Sequence, residues 1–140
     1  MVRKILGAVV GLAVAVITVI IMEMISHTVF PPPGDLDVSD TASLADYMQQ
    51  APVGALLLVI AGYVIGTFDG VFIGALIGRS KPAAYAALIG LLMLAATIGN
   101  LIMIPHPFWF QAAAVIGIPL AALVGMLAIR AVLRKQGHAS

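Results

Sequence analysis

Apolar residues run along this chain in four long blocks with almost no polar interruption, and the polar residues collect between them. The blocks lie at about residues 5–25, 53–78, 83–104 and 108–133. A helix needs roughly 20 mostly apolar residues to cross about 30 Å of hydrocarbon, so each block is long enough to span a membrane. Prolines punctuate them. Pro52, Pro82 and Pro107 stand at the entries of the last three, where a missing backbone N–H costs nothing, and Pro31-Pro32-Pro33 bars extension of the first. The pattern predicts an all-α fold: an integral membrane four-helix bundle, a single transmembrane domain over residues 1–140.

Residues 26–52 form the one long connection. After the Pro31–Gly34 turn, Asp40 or Thr41 can cap a short amphipathic helix whose Leu44, Tyr47 and Met48 share a face. Arg3 and Lys4 before the first block also suit a signal peptide. That block exceeds the usual 7–15 apolar residues and no small-x-small cleavage site follows, so it is expected to remain as a span.

Charge then orients the bundle. Arg3, Lys4, Arg79, Lys81, Arg130, Arg134 and Lys135, all seven Lys and Arg of the chain, fall on one side of a four-span arrangement. The 26–52 loop on the other side carries Asp35, Asp37, Asp40 and Asp46 and no basic residue. Basic loops stay in the cytoplasm, which predicts both termini inside and the 26–52 loop outside. Composition agrees: 62% of residues are apolar and 9% charged, with mean hydropathy +1.14, against about 25% charged in a soluble domain. There is no cysteine, which excludes disulfides and thiolate chemistry.

Small residues supply the packing signal. Gly62, Gly66, Gly70, Gly74 and Gly78 recur every fourth position, joined by Gly7, Gly11 and Ala15 in the first block and Gly117, Ala121 and Gly125 in the last. Such stripes let helix backbones approach closely in lipid. They can close the bundle or mate subunits. Pro119 in the fourth block is expected to bend its helix and free the Val115 carbonyl.

Ionisable groups within spans are costly and therefore candidates for function. Asp69 lies near mid-membrane, about 20° from Gly62 around the helix at 100° per residue. A proton or cation site with Asn100 is one reading; a satisfied interhelical hydrogen bond is the other. Glu23 and His27, one turn apart, stand at the same level as His106. A carboxylate and two imidazoles can ligate zinc or another divalent metal, although polar residues at a helix end also serve simply to meet water. Trp109, between Phe108 and Phe110, reads as an interfacial anchor.

No phosphate-binding loop, dinucleotide fingerprint, H-E-x-x-H or G-x-S-x-G occurs, and no basic–aromatic surface suits nucleic acid. Through Met22-Glu23, His27, Phe30-Pro31-Pro32-Pro33-Gly34-Asp35 and Asn100-Leu101-Ile102-Met103-Ile104-Pro105-His106-Pro107, the chain resembles small four-span bacterial membrane proteins to which no activity is attached. The resemblance covers nearly the whole chain and implies the architecture alone. Small multidrug transporters, also four-span with a Glu in the first helix, differ: theirs lies deep, whereas Glu23 is at the outer edge. The expectation is a non-enzymatic, cofactor-free protein of the bacterial cytoplasmic membrane, acting as a packing, scaffold or accessory subunit. Its partners are then the lipid bilayer and other subunits in a homo-oligomer or larger membrane complex. The alternatives are a small transporter or channel using Asp69, and the Glu23/His27/His106 metal site.

Overall fold

The computed structural model describes residues 1–138 and is entirely helical among them: α1 (Val2–Val29), α2 (Thr41–Gln50), α3 (Val53–Gly78), α4 (Pro82–Met103) and α5 (Phe108–His138). Four of these, all but α2, are long and apolar enough to cross a membrane. The boundaries follow the punctuation. Pro52 precedes α3, Pro82 occupies the first turn of α4, and the Pro107 carbonyl accepts from the amides of Phe110 and Gln111 to start α5. The α1 helix extends beyond its apolar block at both ends, and α5 continues past residue 133 and runs through Pro119 as one helix. Asp40 caps α2 as expected, accepting from the amides of Ala42 and Ser43 at 3.2 and 3.3 Å.

At the centre lies α3, packed against α1, α4 and α5. Its contact with α1 is the most extensive in the fold and is made almost without side chains. A Cβ on Gly7 would stand 2.5 Å from the Gly74 carbonyl oxygen, one on Gly11 2.5 Å from that of Gly70, and one on Gly66 2.6 Å from that of Ala15. Residue numbers fall on α1 as they rise on α3, so the two helices run antiparallel and interlock every fourth position. On its other flank α3 runs parallel to α5: Gly117 meets Val64, and a Cβ on Gly125 would lie 3.0 Å from the Phe68 carbonyl oxygen. The small-residue stripes of all three helices are thus used within one chain.

Polar seams fix one end. The Arg3 Nε donates to the Ile77 carbonyl at 2.7 Å, satisfying a last-turn acceptor of α3, and the Tyr85 hydroxyl donates to the Lys4 carbonyl at 3.1 Å. Tyr85 fills the space that Gly78 leaves open. The chain then turns at Arg79, which takes the left-handed conformation at φ 44° and ψ 39°. This end carries all seven Lys and Arg; the opposite end carries α2, the Asp-rich loop and the Ile104–Pro107 turn.

The core between the ends is largely apolar: Val71, Ile89, Ile118 and Ile129 are fully buried, as is Thr67, whose hydroxyl donates to the Tyr63 carbonyl one turn back. The perimeter is the reverse of a soluble protein's. Ile17, Leu91, Ile116 and Leu123 are among many large apolar side chains left exposed.

Candidate functional site

Side chains from α1, α3, α4, the α4–α5 turn and α5 converge on a cavity of about 230 Å³ at the acidic end, with α2 across its mouth. Glu23, Ser26 and His27 enter from α1, Ala55, Leu56, Val59 and Tyr63 from α3, and Asn100 from α4. His106 and Phe110 close the far side, and Tyr47 and Met48 of α2 lie over the opening. The depth follows from helix geometry. Tyr63 is ten residues into α3, so the cavity reaches about 15 Å along that helix at 1.5 Å per residue. Beneath it, the fully buried Thr67, Val71 and Ile118 seal the bundle.

Local bonds determine which polar atoms remain for a ligand. Ser26 Oγ donates to the Ala55 carbonyl at 3.1 Å, bridging α1 to α3 with its only proton. Nδ1 of His106 lies 2.6 Å from the Ile104 carbonyl oxygen. A carbonyl only accepts, so Nδ1 carries the proton. Burial holds the His106 imidazole below its ordinary pKa, against the opposing effect of this hydrogen bond, and so favours the neutral ring. Its Nε2 is then a lone pair. No fully buried side-chain nitrogen or oxygen among the described residues lacks a partner, so Nε2, which no hydrogen bond engages, keeps some accessible surface, and the residue lines the cavity. Gln111 clamps the turn by donating to the His106 carbonyl at 2.7 Å. The ring itself stacks on Phe110, with centroids 4.6 Å apart and planes 14° apart.

Phe110 is fully buried and is the hub of an aromatic wall, meeting Tyr63 edge-on at 6.3 Å and Trp109 at 6.2 Å. The Asn100 side chain neighbours the Tyr63 hydroxyl as a hydrogen-bonding group, and Glu23 is electrostatically coupled to both Tyr63 and His27.

Four of the residues singled out in the sequence therefore share one space: Glu23, His27, Asn100 and His106. They do not assemble a metal centre: no three His, Asp or Glu side chains among the described residues gather closely enough to hold one ion. His106 is turned onto Phe110 and tied back to its own turn. Asp69 stands apart. It lies six residues below Tyr63 on α3, half-buried, one turn from the exposed Ile65, and lines no part of the cavity. The α3 glycines from Gly62 to Gly78, with Gly117 and Gly125 of α5, lie against neighbouring helices, and of these and Ala121 all but the half-buried Gly117 are buried.

Tyr63 and Ser26 escaped sequence reasoning, which read Tyr47 and Phe110 only as part of an amphipathic helix face and of an aromatic anchor. Tyr63 alone carried a signal, a polar-tipped aromatic between Gly62 and Gly66 in an otherwise aliphatic stretch. The other three are ordinary for their surroundings, and only the fold brings them together.

Comparison with family models, with curated proteins and with solved structures gives no match to this chain.

Proposed function

We propose that this chain is a non-enzymatic, multi-pass protein of a bacterial cytoplasmic membrane that binds a small solute on the outer face, in the cavity beneath α2. Both termini and the seven basic residues lie in the cytoplasm in this reading, and the Asp-rich loop lies outside. One observation carries it: Glu23 of α1, Tyr63 of α3, Asn100 of α4 and His106 of the α4–α5 turn meet in a single cavity. Scattered polar residues kept only for helix packing have no reason to share a space.

Two sequence-level alternatives receive less support. The scaffold reading drew on the glycine stripes, and α1, α3 and α5 bury theirs against one another. A transport path through Asp69 would have to pass Thr67, Val71 and Ile118, all fully buried.

The native chain has no cysteine, which makes accessibility a direct test. Ala55→Cys lines the cavity, whereas Ala114→Cys is fully buried in the core and does not line it. A small charged methanethiosulfonate should modify the first in purified, detergent-solubilised protein and leave the second untouched. Equal reactivity, or none at either site, would remove the cavity and the function built on it.

A further inference from the structure

The occupant's chemistry can be read from which atoms the cavity leaves unspent, granted that the cavity is a binding site. Apart from His27, the donors that line the cavity are neutral groups, the Asn100 amide and the Tyr63 and Tyr47 hydroxyls among them. Ser26 spends its proton on Ala55, and His106 spends its Nδ1 proton on Ile104. Acceptors remain: the Glu23 carboxylate, the His106 Nε2 lone pair, the Asn100 carbonyl oxygen and the lone pairs of Ser26 and Tyr63. No Lys or Arg lines the space. An anion would find no Lys or Arg there and would have to lie beside the Glu23 carboxylate, whereas a cation would meet that carboxylate directly.

The surroundings carry the same sign. Glu23, Asp35, Asp37, Asp40 and Asp46, five of the six acids in the chain, lie at this end, and every Lys and Arg lies at the other. Asp35 and Asp46 line an open groove of about 420 Å³ that shares Tyr47 with the cavity, on the other side of α2. A cation arriving at the mouth therefore meets carboxylates first, and such a field raises its local concentration.

The walls exclude a bare metal ion. Among the described residues no three chelating side chains converge, and most of the lining is apolar or aromatic: Leu56, Val59, Met48, Ile104, Phe110 and Tyr63. Aromatic faces attract organic cations as well as apolar bodies. The cavity also falls below the roughly 300–1,000 Å³ of pockets for drug-sized ligands.

We propose that the cavity binds a small organic ammonium ion, a protonated amine bearing one ring or a short alkyl body. Glu23 is its counter-charge, Asn100 and His106 Nε2 accept from its N–H groups, and its body lies against the Tyr63–Phe110 wall.

Three probes of matched shape separate charge from shape: phenethylamine, 2-phenylethanol and phenylacetate, at pH 7.5 with full-length protein in detergent. Trp109, the only tryptophan, touches the wall through Phe110 and reports binding by fluorescence. Phenethylamine should bind saturably and about tenfold or more tighter than the alcohol, with phenylacetate weakest. Glu23→Gln should bring the amine down to the alcohol's affinity, while Glu23→Asp keeps the preference. Melting of the unliganded variants establishes that each is folded, and if Glu23→Gln is not, loss of the amine preference in Asn100→Leu is the equivalent expected result. Equal or tighter binding of the alcohol or the acid, an unchanged preference in a folded Glu23→Gln, or no saturation by any probe would overturn the assignment. With Ala55→Cys still reactive, such a result removes the cation alone; an unreactive Ala55→Cys removes the cavity with it.

Discussion

Glycine here acts through what it lacks. Gly70 holds its carbonyl and Cα so close to α1 that a Cβ would sit 2.7 Å from the Gly11 carbonyl oxygen and 2.8 Å from the Ala15 Cβ. Backbone cannot swing aside as a side chain can. Gly70→Ala should therefore destabilise the bundle by about 1–3 kcal/mol, the usual cost of overpacking. Gly99 sits in the same kind of apolar helix with nothing within 4 Å of the added Cβ, so Gly99→Ala should be neutral or stabilising by up to about 1 kcal/mol. Denaturant titration in detergent measures both, and similar values for the two would refute the interlocking contact. The spacing of these glycines revealed that α3 offers a groove; which helix fills it depended on the topology. The same division holds at the cavity. Glu23 and His106 were conspicuous as polar residues at one membrane level, while the tie from His106 to Ile104, which turns its ring onto Phe110, comes from the short Ile104–Pro107 turn, which no periodicity encodes.

Among elements, the four long helices were legible because their apolar runs are bounded by prolines and charges, and α3 begins and ends where the sequence placed it, at Val53 and Gly78. Chain ends of helices were less legible: α1 extends to Val29, because nothing before Pro31 forbids further turns. The short α2 followed from its cap and its i, i+3, i+4 face, and Tyr47 and Met48 of that face do turn toward the bundle. This helix is held differently from the others. It has no fully buried residue and begins on the Asp40 cap alone. Asp40→Ala should cost α2 about 1 kcal/mol, seen as faster amide exchange over residues 41–50 with α3 unchanged. Exchange rising equally in α3 would mean that α2 is part of the core instead of a separate cover over the cavity.

For the whole molecule, charge and burial describe one object from two directions. The surface is rich in exposed Leu, Ile and Val, the interior is closed by backbone contact, and the two ends carry opposite charge. In water such a surface would aggregate; in hydrocarbon it costs nothing, and the interhelical contacts that matter are the close ones. In the orientation proposed above, the acid-rich end with its cavity faces outward and the basic end faces the cytoplasm. Sidedness tests that directly. Val38→Cys on the exposed acidic loop and Ser80→Cys in the basic turn can each be treated in intact cells with a membrane-impermeant maleimide. The account predicts labelling at residue 38 at once and at residue 80 only after permeabilisation; the reverse order, or equal labelling of both in sealed cells, would contradict it.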